Sequence, residues 1–141
     1  MIQGVTYILE TDSVFQSLVG LNVAGTKYKA YPVIAPQDEK VPYSVCTMTG
    51  MVLQHKGNTA GARSTYECEF TVSSYDINYD DVYALDNAVL EALVRRSATY
   101  NSIAFGYIEH LGTSDGYVET LGGLYVKTST FTCSITRTAQ T

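Results

Sequence analysis

The sequence predicts an α+β domain: a mostly antiparallel β-sheet with a prominent hairpin, and two main helices packed on one face. Three observations carry that expectation. Thr occurs 17 times and Tyr 12 times in 141 residues, and both favour strands. Residues 64–73 alternate cleanly, with Tyr66, Cys68, Phe70 and Val72 on one face and Thr65, Glu67, Glu69 and Thr71 on the other. Two other stretches repeat their apolar residues every three or four positions, which is the helical period.

The first helical stretch is 2–19, where Val5, Ile8, Leu9, Phe15, Leu18 and Val19 share a stripe. Thr11-Asp12-Ser13 divides it, Asp12 or Ser13 caps the second piece, and Gly20 stops it. Residues 21–26 read as a loop and Lys27–Val33 as a short extended segment. Ile34–Lys40 is a polar turn containing Pro36. Pro42 opens a strand from Tyr43 to about Gln54, since proline is tolerated at a strand's first position. His55, Lys56, Gly57, Asn58, Thr59, Ala60, Gly61, Ala62 and Arg63 form a polar hairpin loop, and the strand from Ser64 to Ser73 returns.

A second helix starts at Asn78 or Asp80 and runs to about Arg96, with Val82, Leu85, Val89 and Leu93 buried. Asp80 and Asp81 near its start and Arg95 and Arg96 at its end suit the helix dipole. Ser97–Asn101 reads as a loop and Ser102–His110 as a strand. Gly112–Gly116 carries a turn signal, Tyr117–Leu121 is short and extended, and Gly122-Gly123 is a second turn. Leu124–Thr136 is a long last strand with Phe131, Cys133 and Ile135 inward. The polar residues from 136 to 141 are expected to fray. The whole chain, 1–141, reads as one domain.

Charge and motif content narrow the function. The net charge of −5 argues against a general nucleic-acid binder, which needs a basic face to displace counterions. No apolar run is long enough to cross a membrane as a helix, and the N-terminus lacks the basic and apolar regions of a signal peptide. Cys46, Cys68 and Cys133 are odd in number and widely spaced, so neither a disulfide framework nor a zinc site is expected. Cys68 and Cys133 fall on core faces and read as small buried hydrophobes, the facing of Cys46 stays open, and the chain is expected to be made in a reducing compartment. His55 and His110 stand in no nucleophile motif and read as surface histidines.

Asp76-x-Asn78-x-Asp80 begins like a calcium loop but has Asp81 where Gly is needed and Asn87 where Glu is needed. Helix capping explains it better. Gly57-x-x-x-Gly61 lacks the Lys and the following helix of a phosphate loop. Two readings of residues 55–63 remain: a plain turn, or a partner-contacting tip flanked by Lys56 and Arg63. Glu67, Glu69, Asp76, Asp80, Asp81, Asp86 and Glu91 put seven of the fourteen acids in a block without Lys or Arg. They form either solvated faces or an acidic surface that meets a basic partner or lets DNA slide past. No catalytic residue, cofactor or metal is expected, and a non-enzymatic assembly or binding part fits best.

Four stretches carry a family resemblance. The first is the N-terminal helix ending Ser17-Leu18-Val19-Gly20 with the extended segment through Tyr31. The second is Ile34-Ala35-Pro36-Gln37 followed by Pro42-Tyr43-Ser44-Val45. The third is Tyr66–Ser73, then Tyr75 and the helix Val82–Leu93, and the fourth is Gly123-Leu124-Tyr125 entering the last strand. In this order and spacing they resemble the tail terminator, or tail completion, family of long-tailed bacteriophages, from about residue 5 to 136. The resemblance implies a virion protein, made in the host cytoplasm, that assembles as a ring, typically a homohexamer, on the finished tail tube. Such a ring stops tube polymerisation and joins the head connector, and DNA passes through its lumen without specific binding. The partners implied are further copies of the chain, the tail tube protein and the head connector or completion protein. The alternatives are another neck or head-completion protein of the same virion, or a monomeric small-ligand-binding domain with an apolar pocket.

Overall fold

The computed structural model describes residues 2–36, 39–55, 63–100, 103–119 and 122–138. Helix α1 (Ile2–Thr11) buries Val5, Ile8 and Leu9. The Thr11 hydroxyl bonds back to the Tyr7 and Ile8 carbonyls at 2.9 and 3.1 Å. Asp12 then takes an extended conformation, and its carboxylate accepts from the Phe15 amide at 2.9 Å. That bond caps α2 (Ser13–Val19) and divides the helical stretch where the sequence expects it. Gly20 stops α2 at φ 68°, a left-handed conformation that glycine adopts freely.

Seven strands follow around one further helix: β1 (Ala30–Pro32), β2 (Tyr43–His55), β3 (Arg63–Asp76), α3 (Tyr79–Leu93), β4 (Ala98–Tyr100), β5 (Ile103–Phe105), β6 (Glu109–Val118) and β7 (Leu124–Thr138). They form a seven-stranded sheet in the order β1-β2-β3-β7-β5-β4, with β6 also paired to β7. β5 meets β7 at residues 135–137 and β6 meets it at 124–132, so both lie end to end on the same side of β7.

The fold class differs from the expectation of a mostly antiparallel sheet with two main helices. Strands dominate, the sheet is mixed, and three short helices cover it. The mixed character comes from β1, which runs parallel to β2 with Ala30 opposite Ser44. The chain between Pro32 and Tyr43 crosses over rather than reversing in a hairpin, and only a crossover joins parallel neighbours. The third helix arises because the Asp12 cap makes α1 and α2 separate.

Five further expectations are corrected. Residues 98–100, expected in a loop, form β4. The expected strand 102–110 is broken after Phe105: the Ile108 amide donates to the Arg96 carbonyl at 3.0 Å, and the Arg95 amide to the Ile108 carbonyl at 2.8 Å. Ile108 is thereby buried beside the end of α3. The turn expected at 112–116 lies inside β6, which pairs with β7 from Glu109–Thr132 to Val118–Leu124. Backbone pairing outweighs the local turn preference of Gly112 and Gly116, and the reversal falls instead near Gly122 and Gly123 at φ 83° and 86°. Last, residues 136–138 are not frayed but belong to β7, while 139–141 lie outside the described residues. Helix α3 also ends three residues before Arg96, whose Nε still donates to the Ala92 carbonyl at 3.2 Å.

The core lies between the helices and one face of the sheet. Cys68, Phe70 and Val72 of β3 and Phe131, Cys133 and Ile135 of β7 meet Leu85, Val89 and Leu93 of α3 and Val5, Leu9 and Phe15 of the first two helices. Leu18, placed on the buried stripe by the sequence, is exposed.

Candidate assembly surface

Only one face of the sheet is covered by helices. The opposite face presents the other half of each strand's alternation: Glu67, Glu69, Thr71 and Ser73 of β3, and Thr128, Thr130, Thr132 and Ser134 of β7. Hydroxyls and carboxylates tie neighbouring strands together there, with Ser73 to Thr128 at 3.0 Å and Thr49 donating to Glu69 at 3.2 Å. From Thr65 to Ser73 of β3, and at the paired positions of β6 and β7, this face holds Glu67, Glu69 and Glu109 and no Lys or Arg; Arg63, opposite Thr138, stands one alternation further along β3.

The acidic block therefore splits. Glu67 and Glu69 stand on the bare sheet face, whereas Asp80, Asp81 and Glu91 are exposed on α3, which packs on the other face. Asp86 is buried, because it lies on the α3 stripe between Leu85 and Val89. The Ser129 hydroxyl donates to it at 2.6 Å, Ser129 meets Thr113 at 2.8 Å, and Thr113 meets His110 Nε2 at 2.8 Å. This polar chain crosses from α3 through β7 to β6. Sequence reading missed Asp86 and Ser129, although the three-to-four spacing from Val82 to Val89 already puts Asp86 beside the buried positions.

A second polar link holds β6 in place. Lys127 of β7 is largely buried, with its ammonium 2.8 Å from the Asp115 carboxylate and about 5.5 Å from the ring centres of Tyr79 and Tyr83. The Tyr79 hydroxyl donates to Asp115 at 3.1 Å. The hydrogen bond from Lys127 holds the Asp115 carboxyl below its ordinary pKa of 3.8. A carboxylate with a depressed folded pKa adds stability above its ordinary value and loses it as pH falls through the folded one. The wild type is thus expected to resist urea better than Asp115→Asn at pH 7, and this advantage is expected to shrink below pH 4. A gap of equal size at pH 3 and pH 7 would mean that the contact is not ionic.

The expected loop 55–63 falls mostly outside the described residues, which end at His55 and resume at Arg63. Their backbones are the adjoining ends of β2 and β3, with His55 opposite Thr65. Just before that point β2 carries Met48, Met51, Val52 and Leu53, each at least 42% exposed. Elsewhere Val33, Ile34, Ala35 and Pro36 face Tyr43, Val45 and Tyr75 across an open apolar concavity of about 440 Å³. Val33 sits at φ 65°, uncommon for a β-branched residue, with its amide bonded to the Cys46 carbonyl at 2.8 Å.

The residues weighed for catalysis are occupied otherwise. His110 is bonded to Thr113 and lies against the Phe131 ring, 5.4 Å between centres. Burial pushes the Cys46 and Cys133 thiols up to about 12 and raises that of Cys68, which keeps them protonated and poorly nucleophilic. Asp76 accepts from the Ile77 amide at 2.7 Å, and Asn78 donates to Asp81 at 3.2 Å at the start of α3. Among the described residues no group of three metal-ligating side chains comes together, and no helix is long and apolar enough to cross a membrane.

No protein-family model matches the chain, and no curated protein matches it. Among solved structures it is similar to a chain described as "Virion of native gene transfer agent (GTA) particle", with a TM-score of 0.62. The two are 17% identical, and the likeness covers 95% of this chain and 96% of that one. At this identity the likeness establishes a shared fold along nearly the full length of both.

Proposed function

We propose that this chain is a non-enzymatic virion assembly protein that caps the end of a phage tail tube as a ring and joins it to the head connector. The observation that carries this reading is the near full-length fold likeness to a chain of a gene transfer agent virion. The resemblance of residues 5–136 to tail terminators supplies the finer role. Two features suit it. The middle of the bare sheet face, threonine-rich with three described glutamates and no Lys or Arg between Thr65 and Ser73, offers phosphates no cationic partner. The β2–β3 hairpin projects exposed apolar side chains toward its tip, where a neighbour or the tube can cover them.

The test is light scattering on a sizing column over a wide concentration range, with negative-stain imaging and binding to isolated tail tubes. Rings with a hole wide enough for duplex DNA that bind tube ends are the expected result. Binding to head connectors but not tubes would favour another neck component. A monomer that binds neither would overturn the assembly reading. Replacing Gly57–Ala62 by a two-residue turn is expected to move the unfolding midpoint little, since loop length weighs only logarithmically on stability. Tube capping is expected to fail in that variant. Intact capping would make the loop a plain turn.

A further inference from the structure

We propose that the outer edge of β2 in one copy pairs antiparallel with the outer edge of β6 in the next, so that copies join head to tail through their sheets. This deepens the assembly reading above by naming the surfaces that meet. The central ribbon β2-β3-β7-β6 is antiparallel at each of its three junctions. Its two outer strands therefore run in opposite directions. When a rotated copy is set beside the first, β6 of one and β2 of the other are antiparallel without any rearrangement.

Both edges are open among the described residues. β1 covers β2 only from Ser44 to Cys46, which leaves 47–54 with β3 as its one strand partner. β6 pairs with β7 alone, and residues 109–117 are exposed throughout. The lengths match, since eight or nine residues span about 27–30 Å. β2 has no charged residue between Tyr43 and Gln54, β6 carries only Glu109 and Asp115 as acids, and neither strand contains Lys or Pro, two of the residues that commonly block edge pairing.

The edge of β2 is also an unfinished core. Register puts Met48 opposite Phe70 and Met51 opposite Cys68, on the helix side of the sheet, yet both methionines are over 40% exposed. A strand added beside them would complete that burial. Two irregularities of register in β2 and one in β6 increase local twist, which favours a sheet that curls toward closure. Because the two edges differ, the contact is heterologous. Each copy uses both edges, and the series closes as a ring or continues as a filament.

The test uses Val52→Cys combined in one chain with Glu109→Cys, Gly112→Cys or Ser114→Cys, and hydrogen exchange on the unmodified protein. Mild oxidation of the assembled fraction is expected to give a covalent ladder beyond dimers for at least one combination. Mixtures of the corresponding single variants are expected to stop at dimers, and each single variant alone to stay uncrosslinked. Amides in 47–54 and 109–117 are expected to exchange about tenfold slower or more in the assembled fraction than in dilute monomer. Crosslinked dimers from one single variant would mean that like edges meet about a two-fold axis, which overturns the proposal. Rings without crosslinks and without added protection would overturn the edge pairing while leaving the ring reading intact. A monomer at every concentration that binds no tube ends would overturn both.

Discussion

Phe70→Ala is expected to cost about 3–5 kcal/mol of folding stability, the range for emptying a fully buried aromatic site. Phe70 and Phe131 are direct partners across β3 and β7, and their rings stack 5.2 Å apart at 18°. Both are fully buried. The junction of β3 and β7 is the longest in the sheet, running from Arg63–Thr138 to Asp76–Tyr125, and α3 packs across it. Truncation leaves a cavity that paired backbone on both sides prevents from collapsing, which places the cost high in its range. A small domain holds about 5–15 kcal/mol in all, so the variant is expected to sit near its unfolding threshold. Urea titration measures the shift, with Glu69→Ala on the bare face as a control expected within about 0.5 kcal/mol of wild type. A small cost for Phe70→Ala would mean that the helix layer moves in to fill the space.

Ser129→Ala is expected to cost about 2–3 kcal/mol, more than the net worth of one hydrogen bond, because it strands a buried carboxylate. The Ser129 hydroxyl is the donor to Asp86, and both residues are almost wholly buried. The same hydroxyl meets Thr113, so its loss also breaks the side-chain link from α3 to β6, while the backbone pairing of β6 and β7 remains. Removing the acid together with the serine takes away the unmet demand. The double variant Asp86→Leu with Ser129→Ala is therefore expected to be more stable than Ser129→Ala alone. Denaturant titration of the three proteins tests this. Additive losses in the double variant would show that Asp86 draws its stabilisation from a group other than Ser129.

The two predictions differ in how far each could be read from sequence. The inward facing of Phe70 and Phe131 follows from strict alternation along strands whose other face is polar, and burial agrees at both. The α3 stripe of Val82, Leu85, Val89 and Leu93 follows equally from its period. Serine and aspartate, by contrast, carry no mark of burial in their chemistry. They enter the core only where a partner arrives from elsewhere in the chain, and Asp86 and Ser129 are 43 positions apart. Lys127 escaped notice for the same reason, since its partners Asp115, Tyr79 and Tyr83 come from two other elements. Of the candidate contact loop, residues 55–63, the structure describes only the strand ends His55 and Arg63.

By itself the sequence determined whatever depends on neighbours along the chain. The divided N-terminal helix follows from an Asp12 side chain that can reach the Phe15 amide. The long strands β2, β3 and β7 were legible as strands, the faces that β3 and β7 bury follow from a two-residue period, and the Gly122-Gly123 turn from glycine's tolerance of positive φ. Tertiary structure alone decided what depends on pairing between distant segments. β1 lies parallel to β2 because a crossover returns the chain beside it. Residues 112–116 extend because β7 offers a ladder of backbone hydrogen bonds that a local turn would forgo. Which strands are left at the open edges is likewise a property of the assembled sheet, since an edge is defined by the absence of a neighbour that no local pattern specifies.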